Sequence, residues 1–440
     1  MNKYELESNE NNIKESLIND QLNNREYLHC LINLLQSITN NQIICIDGDW
    51  GVGKTFLIKQ LIYLIQNYKK GMENNPEFKL IEPVKETLSK VNENHMIFYY
   101  NAWENDDHKD PLESIIYSIL QAYPKYKEKI TNKYDMNKML EDVINLITKI
   151  FSKKLLDVDL SAEKLKQLKS FEDLSAEIKT FEEKKSLFKE LIDEILKDNR
   201  MILIIDEVDR CNPNYATKVL EVIKHFYNLD NITTIIVTNN KELQCTIKQQ
   251  FGESFDAYNY LNKIYDYIIS IDTNKRSIEY SKKMLGFQSE DSLIEDVFYA
   301  IINRYDFTLR ECNRYRTLYD MVISDINNGK GGNISLNQNE VYCTNYIIIP
   351  IILAFKIKDH DAYNGCLKGD AASLNDTIKY ISDFYKRKPQ EGFLEDYVDL
   401  DKTIEHTEEE IIESVVNIFK KNYNATFYNR WFLKVLKMTL

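Results

Sequence analysis

From Ile43 to Ile65 the chain reads IICIDGDWGVGKTFLIKQLIYLI, and this stretch limits the possible folds more than any other. An apolar strand runs into Gly48. Gly48, Gly53, Lys54 and Thr55 then complete the spacing G-x-x-x-x-G-K-[ST] at the head of an apolar helix. Gly48, Gly51 and Gly53 stand this close together in a chain with only 12 glycines among 440 residues. Glycine allows backbone conformations barred to other residues, so successive N–H groups can point into one concavity. The helix that follows adds the positive end of its dipole. These residue types predict a cradle for a nucleoside triphosphate. Gly48, Asp49, Trp50, Gly51, Val52, Gly53, Lys54, Thr55 and Phe56 form the binding segment. Lys54 serves the β- and γ-phosphates, and Thr55 offers its hydroxyl to Mg²⁺.

A phosphate cradle needs a metal holder and a group that positions water. ILIIDE, from Ile202 to Glu207, supplies both at the end of one apolar strand. Asp206 is the candidate Mg²⁺ ligand at the carboxyl edge of the sheet. Glu207 is the candidate base for the attacking water. The competing reading is two acids that cap the next helix. A following acid favours hydrolysis over kinase chemistry, because a kinase wants no water base. A fourth strand, NITTIIVTNN, ends in Thr238, Asn239 and Asn240, and Asn239 is the candidate polar contact to the γ-phosphate or the water. NNKEL resembles the guanine-reading N-K-x-D, but Leu243 replaces its aspartate, which makes ATP the expected nucleotide.

Strands alternate with helices over residues 40–275, which predicts a parallel sheet covered on both faces. The strands are IICID, MIFYYNAW (Met96 to Trp103, apolar on both faces), RMILIIDEVDRC, NITTIIVTNN and YDYIISID (Tyr265 to Asp272). The expected organisation is a polar, solvated lead-in over residues 1–24 and a first core half over 25–122. A charged helical insert follows over 123–199, then a second core half over 200–275. A helical domain covers 276–326, and a C-terminal helical region covers 333–440. Residues 69–94 read as loop and short helix. Asp110, Pro111 and Glu113 are a capping signal for a helix after the second strand. Spaced apolar residues from Phe171 to Ile195 suggest either a coiled-coil seam or a helical insert packed on its own domain. The fold class is thus α/β, a three-layer αβα nucleotide-binding core with a helical insert and a C-terminal helical domain.

Composition sets limits on partners. Net charge is −13, which argues against a broad basic face for nucleic acid. The short basic run YKRKPQ reads as a solvated loop. The 7 cysteines form no C-x-x-C pair, in keeping with reduced cytosolic thiols and a cytoplasmic location. The N-terminus lacks an apolar signal core. The apolar run from Tyr346 to Phe355 is too short to span a bilayer and contains Pro350, so a buried helix or strand is expected and no transmembrane segment.

Together these motifs resemble the KAP family of P-loop NTPases. DWGVGKT carries a tryptophan inside the phosphate loop, YYNAWE matches an aromatic strand, and IIDEVDRC an extended acidic motif with Asp209, Arg210 and Cys211. NNKELQCTIKQQFG followed by YLNKI, and FTLRECNRY with Arg310, match downstream segments. The resemblance covers roughly residues 25–320. It implies an ATPase of the additional-strand, catalytic-glutamate class, with the phosphate-loop strand between the fourth and fifth strands and a helical domain after the core. It implies phage exclusion or mobile-element defence among the roles of known members. Many members carry membrane helices where this chain has a charged insert, and many have aspartate where it has Asn239.

Several residues have competing roles. Arg210 either pairs with Asp209, reaches a neighbouring subunit's nucleotide, or forms a local ion pair. Arg310 is the candidate γ-phosphate sensor, with Arg314 and Arg316 read as surface charges. Trp50 and Trp103 read as packing groups, and His108 lacks a second ligand for a metal. The expected protein is a Mg-dependent ATPase switch with ATP, Mg²⁺, and a protein partner or a second copy of itself. Alternatives are an ATP-gated assembly scaffold and a DNA-processing ATPase.

Overall fold

The computed structural model describes residues 7–38, 41–68, 72, 74–108, 111–122, 196, 199–226, 231–285, 292–325, 338–386 and 406–424. The coiled-coil seam, Asp110 of the capping signal, and YKRKPQ beyond Lys386 lie outside the described residues; Tyr385 and Lys386 end helix Ala372–Lys386 and are not loop. The chain divides into two compact units. One is Asn24–Gly48 with Lys54–Ile271. The other is Met1–Asn23, Asp49–Gly53 and Asp272–Leu440.

The first unit is built on five parallel strands: β1 (Gln42–Asp47), β2 (His95–Asn101), β3 (Arg200–Asp206), β4 (Ile232–Thr238) and β5 (Tyr267–Ser270). Their order is β2-β3-β4-β1-β5, so the strand before the glycine turn lies between the fourth and fifth strands. Ile43, Cys45, Leu203, Ile205 and Ile236 share one face, whose core also takes Ile115 and Ile119 from helix Pro111–Ala122 and Val219 and Ile223 from helix Pro213–Phe226. The opposite layer includes helices Lys54–Asn67 and Lys85–Asn94, both against β2, and helix Arg25–Ser37 behind them. Near-continuous apolar runs in β1, β3 and β4 follow from burial on both faces. β2 and β5 are edges. Tyr99 on β2 is half-buried, and Tyr267 and Ile268 on β5 are exposed, so the two-faced burial expected for MIFYYNAW is incomplete. Residues 76–94 are more ordered than a polar loop. A 3₁₀ helix (Pro76–Val84) and helix Lys85–Asn94 bury Phe78, Ile81, Leu88 and Val91.

The second unit is helical. The lead-in is not simply solvated: helix Glu10–Asn19 buries Ile13 and Leu17, and Leu22 follows it into the core. Its charged residues stay off the core while Ser16 is buried with Ile13 and Leu17, which is why composition alone reads as solvated. The apolar run at 346–355 sits in a longer helical stretch, Gln338–Lys358, with one π turn at Thr344–Ile348. At 21 residues it is long and apolar enough to cross a membrane, contrary to the length expected from the run alone. Ile347 to Phe355 are instead buried within the protein, and Tyr315 donates to the Pro350 carbonyl (3.0 Å).

Candidate functional site

Site geometry begins at the carboxyl ends of β1, β3 and β4, where parallel strands release their connecting loops. Asp206 ends β3 and is 1% exposed. Thr55 Oγ1 donates to its Oδ2 (2.8 Å), the Tyr99 hydroxyl to the same oxygen (3.0 Å), and the Glu207 N–H to Oδ1 (2.8 Å). All three donors are neutral. Burial pushes the Asp206 carboxyl up to about 6, against the lowering effect of the Thr55 and Tyr99 hydrogen bonds. A buried carboxylate held by neutral donors is a charge that a divalent cation would neutralise, and a threonine hydroxyl beside it is a hard oxygen ligand. The two residues therefore fit Mg²⁺.

Lys54 is buried, and its Nζ donates to the Gly48 carbonyl (2.6 Å). Burial lowers its pKa, opposed by Asp209, Asp206 and Asp47. An anion placed beside this desolvated ammonium would restore the charged form that burial disfavours. Phe56, in the first turn of the same helix, buries its side chain in the core. Leu243 is also fully buried and offers nothing to a base.

Glu207 adopts a left-handed backbone (φ 61°), unusual for a residue with a side chain and of the kind held at functional sites. Both of its oxygens are engaged. Asn101 Nδ2 donates to Oε2 (3.2 Å), and Arg210 Nη1 lies 2.8 Å from Oε1. Arg210 thus forms a local ion pair, with Glu207. Its guanidinium also lies 5.4 Å from the Trp103 ring centroid. Asn101 is itself oriented, because its Oδ1 accepts the N–H groups of Trp103 (3.1 Å) and Glu104 (3.3 Å). Asn239 follows β4 and caps helix Asn240–Phe251, accepting the Lys241 N–H at Oδ1 (3.1 Å). Trp50 and Trp103 are 44% and 50% exposed, so neither lies in the core, and Trp103 packs at the surface against Arg210.

The turn tip, Asp49–Gly53, belongs with the helical unit. Gly51 and Gly53 have φ of +83° and +86°, so glycine is required at both. The Gly51 carbonyl accepts the Arg310 N–H (3.2 Å), and a Cβ at Gly51 would lie 2.8 Å from Arg310 Cβ. Arg310 therefore meets the turn through its backbone while its side chain is exposed. Arg314 is exposed too. Arg316 is half-buried and paired with Asp320 (2.9 Å), so it is not a free surface charge.

Tyr99, Asn101, Thr308 and Arg276 were not singled out by motif reading. Asn101 carried one sequence signal, a polar residue ending an apolar strand level with Asp206 in the sheet register. Thr308 carried another, T-L-R-E, which forms a capping box: Thr308 N–H to Glu311 Oε2 (2.8 Å) and Glu311 N–H to Thr308 Oγ1 (3.3 Å).

Comparison with known proteins follows from this geometry. The KAP family P-loop domain matches residues 24–317. The Aeropyrum pernix ORC2 protein, solved in ADPNP and ADP complexes, is similar in structure with 12% identity and a TM-score of 0.33 over 90% of this chain and 93% of that one. No curated protein matches. With the phosphate-loop motif between β1 and its helix, the acid pair at the end of β3, and a family match over most of its length, the chain belongs to the KAP family of P-loop NTPases.

Proposed function

We propose that this protein is a Mg²⁺-dependent ATPase that works as a nucleotide-driven switch. The observation that carries the reading is Thr55 Oγ1 at 2.8 Å from Asp206 Oδ2: the head of the phosphate-loop helix and the end of the acid strand meet at one point. Thr55 and Asp206 would hold Mg²⁺, which when bound neutralises charge on the phosphates. Lys54 leaves its own loop carbonyl to bind the β- and γ-phosphates. The amides of Gly48 to Thr55 orient them. Glu207 accepts a proton from the attacking water at the oxygen that Arg210 or Asn101 gives up. Asn239, whose Nδ2 is the donor end of its amide, is placed one residue beyond β4 to orient that water or the γ-phosphate. Arg310 senses the γ-phosphate from the loop tip.

Defence against phage or mobile DNA is the biological setting proposed, and its support is the family resemblance. Deletion of the gene is expected to raise phage plating on a challenged bacterial host. Unchanged plating across a broad panel removes that assignment. An assembly scaffold with little hydrolysis is the second reading, favoured by the full engagement of Glu207, which holds the base out of use. ATP turnover by the wild type beside Lys54→Ala and Glu207→Gln separates them. The switch predicts turnover lost in both variants, by about 100-fold or more, with ATP binding kept in Glu207→Gln. Binding without turnover in the wild type points to the scaffold.

A further inference from the structure

Among the described residues, Arg276 is the largest of the fully buried side chains, at 2% exposure, and no motif accounts for it. It sits in the first turn of helix Thr273–Met284, beside Ser277, which is also buried. Its Nε donates to the Leu22 carbonyl (2.9 Å) and its Nη1 to the Val52 carbonyl (2.7 Å). A Cβ at Gly53 would lie 3.3 Å from its Nη2 and 3.2 Å from Leu309 Cδ1. A buried guanidinium must be hydrogen-bonded, and its planar fork holds acceptors in fixed directions. One acceptor lies in the phosphate loop and another in the N-terminal segment.

The geometry points to Arg276 as a positioning residue of the nucleotide site, which makes the shape of the phosphate loop depend on the N-terminal segment. The inference rests on the ATP-binding reading above. Val52 C=O and Gly53 N–H belong to one peptide plane, and a trans peptide points them in opposite directions. Holding the Val52 carbonyl on Arg276 therefore turns the Gly53 N–H to the far side, as a donor for phosphate. Arg310 N–H fixes the preceding carbonyl, that of Gly51, in the same way. The N-terminal segment is anchored independently. Ile13, Leu17 and Leu22 are buried, and Lys283 Nζ donates to the Asp20 carbonyl (2.8 Å). A ligand or partner that draws this segment away would take one of the two carbonyls from Arg276 and loosen the other.

Hydrogen exchange of the nucleotide-free full chain tests this without relying on ATP. Arg276→Lys keeps the charge and loses the fork. Leu17→Ala leaves Arg276 intact and loosens the segment that carries Leu22. Both are expected to speed exchange in the peptide spanning residues 48–56 by about tenfold, the worth of one charge-assisted hydrogen bond, with the β3 peptide unchanged. Fluorescent ATP binding is expected to weaken by a similar factor in Arg276→Lys. Loop exchange at the wild-type rate in either folded variant overturns the inference. Faster loop exchange in a protein that binds no ATP leaves Arg276 as the loop's anchor and overturns the ATP reading instead.

Discussion

At the scale of single residues, charge placement decides what the site can do. Asp206 has its carboxyl raised by burial to about 6, so the folded chain takes up this proton more readily than the unfolded chain. The sign follows: Asp206 favours folding as pH falls from about 6 toward the ordinary carboxylate range, and that contribution is lost as pH rises through about 6. In nucleotide-free melts, the stability of Asp206→Ala relative to wild type is therefore expected to improve from pH ~4.5 to pH ~7.5. A flat difference contradicts the shift. A divalent cation binds the charged carboxylate, so the stabilisation given by Mg²⁺ with ATP should shrink below about pH 6. Glu207 has one oxygen, Oε1, occupied by Arg210 (2.8 Å). Arg210→Ala frees Oε1 and is expected to raise turnover about two- to fivefold with ATP affinity unchanged, since the freed oxygen is open to the attacking water. A large fall in turnover would instead place the guanidinium on the nucleotide.

At the scale of elements, two helices show how local signals and burial combine. Helix Leu309–Asp325 starts where it does because of the Thr308–Glu311 capping box, and that start sets Arg310 N–H against the Gly51 carbonyl. Thr308→Ala is expected to cost about 1 kcal/mol in urea unfolding. The stretch Gln338–Lys358 shows why hydropathy is ambiguous. Apolar on all sides from Ile347 to Phe355, it satisfies the composition of a membrane span and also that of a core helix, and the burial of that part decides between them. Ile352 is fully buried, and Ile352→Ala is expected to cost about 2–5 kcal/mol by the cavity it leaves. A near-zero cost would mean that this helix does not pack as a core element.

At the scale of the whole molecule, the net charge of −13 sets the expected response to nucleic acid. ATP turnover should not change when duplex DNA is added at low salt. Stimulation that falls steeply with salt would revive the DNA-processing reading. The place of β1 between β4 and β5 was legible beforehand because the resemblance carried it, and the strands themselves because buried parallel strands are short apolar runs with turns at their ends. Thr55, Asp206 and Glu207 were legible for a related reason: their chemistry ties them to fixed positions in local motifs. Sequence by itself determined the phosphate turn, since glycines at positive φ followed by Lys-Thr have few other uses, and it determined the acid pair at a strand end. Only tertiary structure decided the partners of those residues. Asn101 on Glu207, Tyr99 on Asp206, and Arg276 between Leu22 and Val52 are contacts across 106 to 254 positions of sequence. No periodicity or spacing encodes them, because each depends on which loops the folded sheet and helices bring within hydrogen-bond reach.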